Sequence, residues 1–160
     1  MSELRPLEAE FDCSGARFAI VVARWNGRIT SGLLTGAEHA LQKHGVNASG
    51  YDIVEVPGAF ELALCAQQLA RTGKYDAIIT LGCVIRGGTP HFDYVCAECA
   101  RGIGEVGLRE NLPVAFGVLT TDDLQQALDR SADNEENKGC EAALTVLEMV
   151  TVLRKVAASE

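Results

Sequence analysis

Short unbroken apolar runs alternate along this chain with longer segments in which apolar residues return every three or four positions. "RFAIVVA" (17–23) is rich in β-branched and aromatic residues and reads as a buried strand. "NGRITSGLLTGAEHALQKHG" follows, with Ile29, Leu33, Leu34, Ala37, Ala40 and Leu41 at helical spacing and a stop at Gly45. The cycle then repeats three times. Strand "YDIVEVP" (51–57) leads to helix "AFELALCAQQLARTG", which ends at Gly73. Strand "YDAIITLG" (75–82) leads to helix "PHFDYVCAECARGIGEVGLRE", loosened by its glycines. Strand "LPVAFGVLT" (112–120) leads to the short helix "DDLQQALDR" (122–130), with Asp122 as its N-cap.

"SADNEEN" (131–137) is polar and acidic and reads as a connector. The last helix, 138 to about 157, has a different pattern. Glu141, Glu148 and Lys155 form one narrow polar stripe, eased by Thr145 and Thr151, and almost everything else is apolar. A helix apolar around most of its circumference needs cover on several sides, so subunit contacts are expected in addition to the home core.

Strands alternating with helices imply parallel pairing through right-handed crossovers. The expected fold is a three-layer α/β/α sandwich around a four-stranded parallel sheet, flavodoxin-like, in one domain covering residues 1–160. Residues 1–12 are expected either to join that body or to form a disordered arm.

Composition narrows the function. Apolar residues make up 48% and charged residues 22%, the balance of an ordinary globular domain. A net charge of -8 disfavours nucleic acid and acidic membranes as partners, and an anionic ligand would need a locally basic pocket. "MSELRPLEAEFD" carries no apolar signal core and no run approaches a membrane span, so a cytoplasmic location is expected. The six cysteines, Cys13, Cys65, Cys83, Cys96, Cys99 and Cys140, read as free thiols. Cys96 and Cys99 form a C-x-x-C pair, but no second pair of zinc spacing accompanies it, and no metal is expected.

In open parallel sheets ligands bind beyond the carboxyl ends of the strands. That rule gathers the chemically informative residues: Arg24-Trp25-Asn26-Gly27, Pro57-Gly58-Ala59-Phe60-Glu61, the stretch from Leu81 through His91, and Thr120-Thr121-Asp122. Three of these four turns carry an aromatic or imidazole ring. Gly87 and Gly88 suit a tight turn and close ligand approach, and Thr89 with the free amides at a helix start suits phosphate. The pattern is neither a dinucleotide fingerprint nor a P-loop. His91, at a helix N-terminus, has its charged form discouraged and can exchange a proton. By itself such a histidine is more often a cap or surface residue, and His39 and His44 read as surface residues. Trp25 offers a flat face for a heteroaromatic ring, or else a lid over the core. Glu61 either favours its helix start or accepts hydrogen bonds from ligand hydroxyls.

Together "RWN", "PGAFE", "GCVIRGGTPHFDYV", "FGVLT", "QALDR" and "NKG" resemble the lumazine synthases of riboflavin biosynthesis over nearly the whole chain. The resemblance implies condensation of 5-amino-6-(D-ribitylamino)uracil with 3,4-dihydroxy-2-butanone 4-phosphate to 6,7-dimethyl-8-ribityllumazine, phosphate and water, with no cofactor. It implies that Trp25, Asn26, Ala59, Phe60, Glu61, Cys83, Val84, Ile85, Phe116 and Lys138 receive the ribitylaminouracil. Gly88, Thr89 and Arg130 would hold the phosphate, and His91 would transfer protons. Phe116 and Arg130 would reach the site of a neighbouring subunit, with Lys138 near the same pocket. Trp25 stands where many relatives have phenylalanine.

Family members form pentamers, and some build icosahedral shells. The short connector here fits a shell, but Asp133, Glu135 and Glu136 add like charge and argue against one. Riboflavin synthase is a candidate partner. The rival readings are a non-catalytic lumazine or flavin binder, a shell protein valued for assembly, and a riboflavin-forming enzyme of similar fold.

Overall fold

The computed structural model describes residues 11–159. Among them, strands β1 (Phe18–Ala23), β2 (Tyr51–Val56), β3 (Ala77–Ile85) and β4 (Val114–Thr121) pair in parallel in the order β2-β1-β3-β4. The helices are α1 (Gly27–Lys43), α2 (Leu62–Arg71), α3 (His91–Glu110), α4 (Leu124–Ser131) and α5 (Lys138–Ala158), with 3-10 turns at Ala48–Gly50 before β2 and at Ala59–Glu61 before α2. The chain winds outward from β1 to β2, then crosses back past β1 to β3 and β4. The reversal lies between β1 and β3.

All six residues of β1 are buried, so both faces of the sheet are covered. Period-two alternation divides its side chains. Phe18, Ile20, Val22, Ile79 and Leu81 join the core beneath α1 and α5; Ala19, Val21, Ala23, Ile78 and Val118 join the core beneath α2 and α3. The result is the expected three-layer sandwich. From α1, Leu33 and Leu41 are fully buried, each contributing about 1.5–3 kcal/mol. Beyond Lys43, Gly45 takes a positive φ of 88° that ends the helix without strain.

β3 does not stop at Gly82 but continues to Ile85, paired residue for residue with β4 as far as Thr121. A Cβ on Gly82 would lie 3.1 Å from Leu62 Cδ1, so the glycine serves helix–sheet packing. Because β4 runs to Thr121, the chain turns one residue late. Asp123, not Asp122, caps α4, its Oδ1 accepting from Gln126 N at 2.8 Å. The glycines of α3 do not loosen it; the helix is continuous, and a Cβ on Gly102 would come within 2.8 Å of Ala63 Cβ on α2.

His44 is no free surface residue. It is half-buried edge-on to Phe11, with centroids 4.9 Å apart and no hydrogen-bond partner for Nε2 among the described residues. Thr151 does not ease the polar stripe of α5 but is buried, donating to Leu147 O and accepting from Asp12 N, both at 2.9 Å. Arg154 also donates to Asp12 O, so residues 11 and 12 belong to the body. The rest of the expected arm, residues 1–10, lies outside the described residues.

α5 buries Ala143, Val146, Leu147 and Val150 against the home core. Met149, Val152, Leu153 and Val156 remain exposed on its C-terminal half. No helix among the described residues is long and apolar enough to cross a membrane.

Candidate active site

The strand order reverses between β1 and β3, and in sheets of this kind the ligand crevice lies beyond the carboxyl ends of the strands at that reversal. Immediately after β1, Asn26 sits in the left-handed region at φ 61°, which asparagine tolerates better than most residues. Its Nδ2 donates to Cys83 O across the crevice at 2.8 Å. The Asn26 amide is therefore committed to a structural bond, which leaves its oxygen and the neighbouring backbone for a ligand. Trp25 is pinned by its backbone, N donating to Pro57 O at 3.0 Å, while its side chain is 66% exposed. The indole lies against Gly58, where a Cβ would collide with Cε3 and Cζ3. Glu61 Oε2 accepts from Gly58 N at 3.0 Å and fixes the Pro57–Gly58 turn beneath that ring. Ala59 is buried at the same corner, and Phe60 projects outward with 56% exposure.

Val84 and Ile85 are half-buried at the exit of β3. The turn beyond them is exposed from Arg86 through His91. Neither Gly87 nor Gly88 has positive φ, and a Cβ on either would meet nothing within 4 Å. Neither backbone conformation nor packing within this chain requires glycine at these two positions. Pro90 is the N-cap and His91 the first residue of α3; His91 N donates to Thr89 Oγ1 at 3.5 Å, a long contact.

Arg86 braces this turn, a role sequence reading did not find. Its Nε donates to Asp122 Oδ1 at 2.9 Å, Nη1 to Asp93 Oδ1 at 3.3 Å, and its guanidinium lies 4.3 Å from the Phe92 ring centroid. The Asp122 hydrogen bond in particular holds the guanidinium charged. The sequence holds only a weak hint: Arg86 is followed by Asp93 in the first turn of α3 and, far along the chain, by Asp122 just after β4.

Phe116, Arg130 and Lys138 are not part of this crevice wall. Phe116 pairs with Thr80 in the middle of β4, the edge strand, and is 45% exposed. Together with Arg130 and Lys138 it lines a groove of about 940 Å³ between β4, α4 and α5. Arg130 Nη1 donates to Gln126 O at 2.9 Å, and Lys138 Nζ pairs with Glu141 Oε2 at 2.6 Å. The expected site residues thus fall into two groups, one at the switch point and one along the sheet edge.

All six cysteines are free thiols; Cys83 and Cys99 are buried and the other four half-buried. Burial, with the nearby Cys96 as a smaller cause, pushes the Cys83 and Cys99 thiols up to about 11. Such thiols stay protonated and pack as small apolar groups. Among the described residues no three His, Cys, Asp or Glu side chains gather as a metal-holding group.

A family model described as 6,7-dimethyl-8-ribityllumazine synthase matches residues 15–154, from just before β1 to within the last helix. The match takes in every strand, both residue groups and the β3–α3 turn. The chain belongs to the 6,7-dimethyl-8-ribityllumazine synthase family, transferases of riboflavin biosynthesis that act on small molecules.

Proposed function

We propose that this chain, acting as one domain over residues 1–160 in the cytoplasm, condenses 5-amino-6-(D-ribitylamino)uracil with 3,4-dihydroxy-2-butanone 4-phosphate. The ring amine attacks the ketone and water leaves as an imine forms. Phosphate is eliminated, and ring closure with loss of a second water gives 6,7-dimethyl-8-ribityllumazine.

Trp25 stacks on the pyrimidine, whose edge meets the backbone of Cys83, Val84 and Ile85. Asn26, Ala59, Phe60 and Glu61 receive the ribityl chain, largely through backbone groups, because the Asn26 amide and one Glu61 oxygen are engaged within the protein. Gly88 and Thr89 seat the phosphate under the open space of their turn, and the positive end of the α3 dipole behind them faces the anion. His91 takes and returns the proton. An amine and a ketone condense readily once held together, so orientation supplies much of the acceleration.

The observation that carries the reading is the division of the site residues. Phe116 and Arg130 line a groove on the sheet edge, while Trp25 and His91 belong to the switch point. A homo-oligomer, by family a pentamer, closes the site by bringing the edge of one protomer against the switch point of the next. The exposed apolar residues of α5 supply part of that contact. The product passes to riboflavin synthase.

The test mixes the two purified substrates with the protein and follows lumazine absorbance, alongside the native mass of the particle. Lumazine formation by an oligomer supports the proposal. Lumazine binding without turnover would replace it with a non-catalytic carrier, and full turnover by a monomer would remove the shared site.

A further inference from the structure

The connector between α4 and α5 is polar and acidic in sequence, yet Asn137 within it is only 4% exposed. A helix leaves its last carbonyls and its first amides without partners. At this junction one side-chain amide meets both needs. Asn137 Nδ2 donates to Ser131 O at 3.1 Å and Ala132 O at 3.0 Å, at the end of α4. It also donates to Gly32 O on α1 at 3.1 Å. Two amide hydrogens serve three carbonyls, so one of them is shared. Asn137 Oδ1 accepts from Cys140 N at 3.0 Å and caps α5.

The surroundings are shaped to this one side chain. A Cβ on Gly36 would collide with the Asn137 amide, one on Gly32 with Ser131 O, and one on Gly139 with Leu33 O. Three glycines therefore let α1, α4 and α5 close on the asparagine. The groups it holds lie next to two residues of the edge groove. Arg130 immediately precedes Ser131, and Lys138 immediately follows Asn137.

We propose that Asn137 is a positioning residue that sets where Arg130 stands for the phosphorylated substrate; this rests on the function proposed above. It touches no substrate. Its amide fixes the end of the helix carrying Arg130 relative to the start of the helix carrying Lys138, and α1 anchors both to the core.

The experiment compares wild type, Asn137→Ser and Asn137→Asp. Serine keeps a cap acceptor for Cys140 N and loses the three carbonyl contacts. Aspartate keeps the acceptor and sets a carboxylate against those carbonyls. Because a displacement of about 1 Å can lower a rate ~10²-fold, the expected result for Asn137→Ser is a rise of about tenfold or more in KM for 3,4-dihydroxy-2-butanone 4-phosphate. The inhibition constant of inorganic phosphate rises in parallel, the KM for ribitylaminouracil stays within about twofold, and Asn137→Asp is affected more strongly.

A purely structural role would lower Tm and the active fraction while leaving both KM values and phosphate inhibition unchanged, and that result overturns the proposal. If wild type forms no lumazine, the proposed function fails instead. Should the Asn137 variants not fold, Gly36→Ala decides by the same comparison, since it keeps every donor but displaces the amide. An unchanged KM for the phosphorylated substrate in that variant also rejects the proposal.

Discussion

The Asn26 side-chain amide donates to the Cys83 carbonyl at 2.8 Å, tying the turn after β1 to the exit of β3 across the crevice where the strand order reverses. Both residues belong to the expected substrate wall, so that wall is braced before any ligand enters. Asn26→Ala removes the bond and puts alanine at φ 61°. The lost bond is worth about 1 kcal/mol and the left-handed backbone costs about another 1 kcal/mol. Asn26→Gly loses the bond alone and should recover about half of the loss. Urea unfolding of the three proteins checks this; equal destabilisation by alanine and glycine would mean the backbone conformation is not a source of the effect.

Glycine positions separate by what surrounds them. A Cβ on Gly117 would lie 2.6 Å from Thr80 O and 2.7 Å from Leu81 Cδ2. Gly117→Ala should therefore destabilise by about 1–3 kcal/mol through overpacking between β4 and β3. Gly104, exposed on α3, has nothing within 4 Å of its added Cβ and no positive φ. Gly104→Ala should stabilise by about 0.5–1 kcal/mol from helix propensity. Thermal unfolding of the pair reads both signs at once.

Much of this fold was legible because periodicity reports burial directly. The run at 17–23 became β1, and Ile29, Leu33, Ala37 and Leu41 became the buried face of α1. What escaped was governed by polar contacts between distant segments, which leave no trace in hydropathy. "SADNEEN" reads as a polar, acidic connector, yet Asn137 is buried because carbonyls from α1 and α4 converge on it. Asp122 and Asp123 are equivalent as caps until pairing with Ile85 shows that β4 reaches Thr121. The switch-point residues could be gathered from the loop rule alone. Placing Phe116 on an edge strand required the strand order, which sequence order does not give.

The buried thiols predict a pH dependence. Cys83 and Cys99 titrate near 11 in the folded chain against an ordinary value of 9.0, so between those values the folded state holds protons that the unfolded state has released. Their contribution to stability is fully present below pH 9 and is lost as the pH rises from there through about 11. Cys83→Ala/Cys99→Ala should flatten the fall in stability over that interval relative to wild type. Denaturation midpoints at pH 8 and pH 10.5 test the difference, and parallel declines in both proteins would contradict it.

Kinetics should separate the roles of His91 and Arg130. Because orientation carries much of the rate, His91→Ala should slow turnover by less than the ~10²–10⁴-fold usual for acid–base residues. Arg130→Ala removes charged hydrogen bonding worth about 1.5–3 kcal/mol and should appear mainly as a higher KM for the butanone phosphate. Steady-state measurements with each substrate varied in turn are sufficient. An unchanged KM would take Arg130 out of the phosphate seat.

If adjoining protomers share each site, defects on separate chains should complement. Trp25→Ala/His91→Ala damages only the switch-point half, whereas Arg130→Ala damages only the edge half. In a ring each protomer offers its edge to one neighbour and its switch point to the other. Random co-assembly at equal amounts then leaves about a quarter of the interfaces with both halves intact. Co-expressed variants should show a fraction of sites that combine wild-type turnover with wild-type KM for both substrates, although neither variant alone has any. The triple variant carried on one chain and mixed with itself provides the baseline. Complementation requires Arg130 to act across an interface, because a site built within a single protomer would remain defective in every chain of the mixture.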